Sequence, residues 1–135
     1  MAESNVIGGN RFTSSQLPFY VNSLTGQTAP VASVVTFTPA TTGVFQAGGG
    51  LVVTSYTSGS ITLQVSYTDD SGTARTATMI FQTTAGTATT SAGATGAFFG
   101  NDLNFRAQGG NPITILTSGT FVATYNVTAN IKHIA

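Results

Sequence analysis

The stretch that decides the fold covers residues 61–72 and has the sequence ITLQVSYTDDSG. Its apolar positions, which alternate with polar ones, are Ile61, Leu63, Val65 and Tyr67. A period of two puts one set on each face of a strand, which indicates a half-buried strand in an antiparallel sheet. The Asp69–Gly72 segment has turn-forming residues. The chain is therefore predicted to reverse there and to return as a second strand that ends at Phe81.

The same alternation marks a long strand near the end of the sequence. Apolar and polar residues alternate from Phe121 to Lys132, which predicts a strand of about twelve residues that bends or bulges along its length. Shorter β-branched and aromatic runs predict further strands at 33–38, 51–57, 103–107 and 113–116. No window has helical apolar spacing. We therefore expect an all-β protein, an antiparallel β-sandwich or jelly roll of about 6–8 strands.

Two segments stand outside this pattern of strands. Residues 1–30 are predicted to form an extended N-terminal arm, which leaves residues 31–135 as the β-sandwich domain. Residues 83–100, rich in Thr, Gly and Ala, are predicted to be a loop. Two glycine runs, Gly8–Gly9 and Gly48–Gly50, precede neither a Gly-Lys-Ser/Thr ending nor a helix, so they are interpreted as flexible connectors.

Apolar clusters in these two segments are the candidate partner-binding residues. The candidates are Phe12, Phe19, Tyr20 and Val21 in the arm, and Phe98 and Phe99 at the end of the loop. Such side chains either cap the core of their own domain or dock on a neighbouring subunit. Burial of one large apolar side chain contributes about 1.5–3 kcal/mol, so a few of them suffice to anchor a contact.

Composition excludes several classes of function. Charged residues make up 6% of the 135 residues, against about 25% in an average globular protein. Four basic and four acidic residues give a net charge of zero, which leaves no field to attract nucleic acid or an anionic membrane. The longest apolar runs are too short to cross a bilayer. We expect neither a nucleic-acid partner nor a membrane.

Candidate catalytic and metal-binding groups are few. The sequence has no Cys and one His, His133, which lies two residues from the end of the sequence, a poor place for a general base. Adjacent Asp69 and Asp70 are explained by the turn. Asn101, Asp102 and Asn104 offer oxygen ligands without further carboxylates nearby. We therefore predict no enzyme activity, no metal and no cofactor.

The scarcity of charge has a consequence for assembly. Soluble monomers use charged side chains to keep exposed sheet edges from pairing, and this chain has almost none to use in that way. A subunit whose edges are covered by neighbours has no such need, and zero net charge lets many copies pack closely. The composition therefore favours a building block of a homo-oligomer.

Residues 60–135 resemble small β-sandwich structural proteins of tailed-bacteriophage virions. The resemblance lies in the hairpin around Tyr67–Gly72, in Ile113–Ile115 and in the closing Tyr125–Ile131 strand. It implies a non-enzymatic capsid decoration, neck or tail protein that forms trimers, pentamers or hexamers. It also implies that other virion proteins, such as the major capsid protein, are partners and that assembly takes place in the host cytoplasm.

Two alternatives follow from the same residues. The first is a carbohydrate-binding or adhesin-like module, with Tyr20, Phe98 and Phe99 as its contacts. The second is a subunit of a filament or surface layer, built by the same covering of strand edges.

Overall fold

A computed structural model describes residues 19–79, 81–83, 88–89 and 92–135. Eleven β-strands and no helix occur within this part of the chain. The strands are β1 (Phe19–Gln27), β2 (Val35–Phe37), β3 (Gly43–Gly59), β4 (Thr62–Thr68), β5 (Ala74–Thr78), β6 (Phe81–Thr83), β7 (Ala88–Thr89), β8 (Gly96–Gly100), β9 (Leu103–Ala107), β10 (Ile113–Ser118) and β11 (Phe121–His133). Eight of them have five residues or more, which matches the predicted six to eight.

The strands form two antiparallel sheets. The larger sheet has the order β1-β11-β3-β8-β6-β7, and β9 pairs with β3 on the same side as β8. The smaller sheet has the order β2-β10-β4-β5. The apolar faces of the two sheets pack against each other, so the predicted antiparallel β-sandwich is confirmed.

Strands β3 and β11 form the centre of the larger sheet. Their pairing runs from Phe121 opposite Gly59 to His133 opposite Phe45. The register shifts twice, between Val122 and Ala123 and between Thr124 and the next residue. The long final strand was predicted from the alternation, whereas the extra residues at the two register shifts, Thr57 and Thr54, lie in β3 rather than in β11. A strand of this length supports β1 on one edge while β3 supports β8 and β9 on the other.

The glycine run at 48–50 lies inside β3, which corrects its interpretation as a connector. A Cβ atom on Gly49 would lie 2.5 Å from the Thr128 carbonyl oxygen and 2.9 Å from Leu63 Cδ2. Neighbouring backbone and core side chains therefore come too close for any side chain at this position. Glycine is used here for close packing rather than for a turn.

The core lies between the sheets and is built from the alternate residues that the sequence predicted. Its largest fully buried side chains belong to both sheets and to the segments beside them: Tyr125, Phe45, Leu51, Ile61, Leu63, Met79, Ile113, Ile115, Ile131, Val65 and Val127. Strand β10 and residues 123–131 of β11 bury every second residue. The hydrophobic effect of this burial holds the two sheets together.

The hairpin from β4 to β5 turns at Asp69, as predicted. One carboxylate oxygen of Asp69 accepts hydrogen bonds from the Ser71 hydroxyl at 2.6 Å and from the backbone N–H groups of Ser71 and Thr73, both at 3.0 Å. Its other oxygen pairs with Arg75 Nε at 2.6 Å. These donors, the Ser71 hydroxyl first among them, hold the pKa of Asp69 well below its ordinary value.

Residues 19–27 lie in the larger sheet rather than in a separate arm, because β1 pairs with β11 from Lys132 opposite Phe19 onward. The side chain of Asn22 donates a hydrogen bond to the Val34 carbonyl at 2.8 Å, which ties β1 to the start of β2. This placement corrects the predicted arm over that range. Residues 1–18, with Phe12, lie outside the described residues.

Candidate interaction surface

The face of the larger sheet that points away from the smaller sheet is called here the outer face. Residues directly opposite each other in antiparallel strands share a face, so the register defines its members. One row across the sheet contains Ser23, Thr128, Gly50 and Phe99. The hydroxyls of Ser23 and Thr128 are hydrogen-bonded at 3.0 Å. The row is uncharged, and it ends at an exposed aromatic ring.

Phe19 and Val21 place apolar side chains on the outer face at the β1 edge. They lie opposite Lys132 and Asn130 of β11 and are 55% and 56% exposed. Lys132 Nζ lies 5.7 Å from the centre of the Phe19 ring, within the range of a cation–π contact. Two of the predicted partner-binding residues are therefore together on one accessible surface.

Tyr20, between them, points to the other side of the sheet. Its ring stacks on Phe37 of β2 with centroids 4.6 Å apart and an interplanar angle of 22°. The side chain remains partly exposed at the rim of the sandwich. Tyr20 thus closes the gap between the edges of the two sheets, a role inside its own chain.

The adjacent aromatics Phe98 and Phe99 occupy opposite faces of β8. Phe98 is 4% exposed and belongs to the core, which corrects its assignment to a partner contact. Phe99 is 59% exposed on the outer face, across from Gly50. Because Tyr20, Phe98 and Phe99 point in different directions, they form no common platform of the kind that the carbohydrate-binding alternative used.

Two further exposed apolar residues of the larger sheet were not predicted from the sequence, Val52 on the outer face and Val122 in β11. They are 44% and 60% exposed. Val52 lies opposite Ala97 of β8, next to the Gly50–Phe99 pair. A signal for both was available, because each is an apolar residue in the polar phase of an alternating strand. We call Val52, Ala97 and Phe99 the β3–β8 patch.

Charge is concentrated at one end of the sandwich. Among the six charged side chains of the described residues, four form two ion pairs, Arg75 with Asp69 and Arg106 with Asp70, each around the β4–β5 turn. The Arg106 Nε to Asp70 Oδ2 distance is 2.5 Å. The other two lie on the outer face, Lys132 beside Phe19 and Asp102 against Gly48, and the β3–β8 patch itself contains no charged residue.

The remaining candidates for chemistry lie apart from one another. The ring of His133 stacks on Phe45 with centroids 4.6 Å apart, and its Nε2 lies 3.2 Å from the Ala135 carbonyl oxygen. No three of His, Asp and Glu come together as a metal site within the described part of the chain. A surface cavity of about 290 Å³ is lined by Thr28, Ser55, Thr57 and residues 121–124, none of them titratable.

No helix within the described ranges is long and apolar enough to cross a membrane. No protein-family model matches the sequence, and no curated protein matches it either.

Two solved structures are similar to this chain. The SPBc2 prophage-derived protein YomS has 12% sequence identity and a TM-score of 0.39, over 85% of this chain and 94% of that one. A chain in the structure of infectious bursal disease virus, Gx strain, has 14% identity and a TM-score of 0.40, over 87% of this chain and 33% of that one. The present chain thus spans about one third of the viral chain.

Proposed function

We propose that the protein is a non-enzymatic structural component of a bacteriophage virion, a capsid decoration or a neck or tail protein. It associates with copies of itself as a trimer, pentamer or hexamer and docks on a protein shell such as that of the major capsid protein. It is assembled in the host cytoplasm and resides in the virion. The observation that carries this proposal is the set of exposed apolar side chains on the outer face, Phe19, Val21, Val52 and Phe99.

The β3–β8 patch is the part of this face that suits a protein shell. Val52 and Phe99 lie on neighbouring strands, so their side chains are within reach of each other across the sheet. Exposed aromatic and aliphatic groups grouped in this way mark protein contacts, and aromatic anchors carry much of the energy in such contacts. The three residues of the patch are themselves uncharged.

The resemblance of residues 60–135 to virion proteins supports the same proposal. Its motifs correspond to described strands, since the Tyr67–Gly72 hairpin joins β4 and β5 and the closing motif forms β11. The sandwich thus uses these motifs as framework. The functional surface lies instead on the opposite side of the larger sheet from the core.

The proposal is tested by measuring the chain in purified virions. Virions from cells that express the gene are purified by density gradient, and the copy number of the chain is determined by quantitative mass spectrometry. We expect a copy number that is a fixed multiple of three, five or six. Virions that lack the chain would contradict the proposal.

A matched pair of variants tests the docking patch. Phe99→Ser removes the exposed ring, and we expect fewer copies per virion with an unchanged melting temperature. Val122→Ser is the control, because Val122 is as exposed as Phe99 but lies outside the patch, at the start of β11. This variant is expected to keep the copy number. Equal losses in both variants would argue against the β3–β8 patch.

The contribution of the N-terminal segment is tested by deletion of residues 1–18. This deletion leaves β1 whole, including the Asn22–Val34 hydrogen bond. We expect a folded sandwich that attaches to virions less well. Deletion of residues 1–25 would instead remove most of β1, so it would report on folding rather than on attachment.

A further inference from the structure

Among the described strands, β1 forms one edge of the larger sheet, with β11 on one side and no described strand on the other. From Phe19 to Leu24 it pairs with β11 without interruption. This segment, which we call the open edge, contains no charged residue and no proline. A regular, uncharged edge leaves alternate backbone N–H and C=O groups available for another strand.

Other edges of the two sheets carry features that discourage pairing. Strand β5 has Arg75 and strand β9 has Arg106, both with exposed side chains. Strand β2 has three residues and β7 has two. Short strands and charged side chains are the usual protection against edge-to-edge contacts. The open edge of β1 lacks both.

A bulge marks where the open edge stops. Thr25 and Gly26 together oppose the single residue Asn126, and Gly26 has a φ of 65°. The Gly26 N–H donates to the side-chain oxygen of Asn126 at 2.9 Å. A bulge increases the local twist and terminates regular pairing. A partner strand can therefore align with residues 19–24 and no further toward Gln27.

We infer that the open edge binds a second copy of this chain, β1 against β1, antiparallel about a twofold axis that is normal to the sheet. The two larger sheets then become one continuous sheet. Because paired residues must share a face, Val21 lies opposite Val21, Phe19 or Ser23 of the second copy. The inference rests on the proposed self-association and names one contact in it: a twofold contact can join two trimers into a hexamer, whereas a trimer or a pentamer contains no twofold contact.

The chemistry of the edge favours a second copy as its occupant. The strand that fits is extended, uncharged and apolar on the outer face, and β1 itself meets each condition. In the Val21–Val21 register, the two Lys132 side chains are separated by three strand spacings and four residues along the strands. That places them roughly 20 Å apart, well beyond the Debye length of about 8 Å at physiological ionic strength. Charge repulsion therefore does not oppose the pairing.

The absence of cysteine from the chain permits a direct test. In the full-length protein, Val21→Cys places two thiols across the twofold axis, at a separation that a disulfide can span. We expect Val21→Cys to form a covalent dimer under mild oxidation. In the other two registers, Val21→Cys is expected to form a mixed dimer instead, with Phe19→Cys in one and with Ser23→Cys in the other, each in an equimolar mixture. Val122→Cys, with matched exposure on the same sheet, is expected to stay monomeric on a denaturing gel.

A charged substitution tests the same contact without covalent cross-linking. Val21→Lys places like charges near each other in the paired edge, and we expect dimer dissociation to become easier by about tenfold or more in sedimentation equilibrium. Val122→Lys is the control and is expected to leave the association unchanged. Both substitutions are at exposed sites, and circular dichroism verifies the fold.

The outcomes separate this inference from the proposed function. Cross-linking at none of the three registers, equal cross-linking at Val122, or association that survives Val21→Lys would overturn the β1 pairing. A monomer in which residues 1–18 of the same chain cover the edge would be seen as failure at all three registers and would overturn it as well. Virions that lack the chain, combined with Val21-specific cross-linking, would refute the proposed function and leave the pairing intact.

Discussion

Removal of one buried hydroxyl, by Tyr125→Phe, tests the interior that fixes the position of β1. The Tyr125 hydroxyl donates to the Ala29 carbonyl at 2.8 Å and accepts from the Thr117 hydroxyl at 2.7 Å. The Thr117 oxygen in turn accepts from the Val31 N–H at 2.8 Å. This chain of hydrogen bonds fastens the segment between β1 and β2 to both sheets.

The expected cost follows from the burial of each group. Tyr125 is fully buried and Thr117 is 2% exposed, so the Thr117 hydroxyl has no water to replace its lost acceptor. Ala29 is exposed, and its carbonyl can bond to solvent instead. An unsatisfied buried donor costs about 1–3 kcal/mol. We expect Tyr125→Phe to lower the free energy of unfolding by about 2 kcal/mol, or Tm by about 7 °C in a chain of this size.

The assay is urea unfolding followed by circular dichroism, with Tyr56→Phe as the control. The Tyr56 hydroxyl also donates one hydrogen bond, to the Gly59 carbonyl at 2.8 Å, but at an exposed site. Its loss is expected to cost less than about 0.5 kcal/mol. A double-mutant cycle with Thr117→Val should give a coupling energy of about 1 kcal/mol. If Tyr125→Phe costs no more than Tyr56→Phe, the reasoning about the buried network is refuted.

Three further results are expected. Burial raises the pKa of Tyr125 above its ordinary value of 10.0. The tyrosine of the unfolded chain therefore ionises at a lower pH than that of the folded chain, and the stability of the wild type should fall as the pH rises above 10. Alkaline denaturation curves that fall equally steeply for Tyr125→Phe would contradict this. Because the pKa of Asp69 is lowered in the folded chain, its carboxylate adds stability that is present above the ordinary pKa of 3.8 and is lost as the pH falls below that value. The Tm difference between wild type and Asp69→Asn should therefore shrink in acid. A difference that stays constant with pH would argue against the turn hydrogen bonds. Gly49→Ala should destabilise by about 1–3 kcal/mol, because the methyl group meets the Thr128 backbone, whereas Gly48→Ala, which meets the movable ends of side chains, should cost less in the same urea assay.

Local alternation was enough to predict the antiparallel hairpin, the final strand and most of the core. Ile61 to Tyr67 and Phe121 to Ile131 carry a period of two because one face of each strand is buried, and that cause acts within a few residues. The turn at Asp69 was predictable for the same reason, since its carboxylate bonds to donors two and four residues ahead.

Features that depend on distant partners were not predictable in this way. Gly48–Gly50 has the composition of a connector, and only the approach of Thr128 and Leu63 explains its place in a central strand. The pairing of β1 with a strand about one hundred residues later has no local signal. Phe98 and Phe99 point to opposite faces of β8 because adjacent residues of a strand always do. Their Gly- and Ala-rich neighbours have no apolar alternation that would show which of the two faces is buried.

The position of β11 has a consequence for how the chain folds. It is synthesised after every other described strand, yet it lies between β1 and β3 in the finished sheet. Neither of those strands can complete its pairing until β11 has left the ribosome, and the loops that must close are long. Folding is therefore expected to be slow, on the scale of milliseconds to seconds that non-local β-structure requires. Until that last strand has been synthesised, the edge of β3 that β11 covers stays unpaired in the nascent chain.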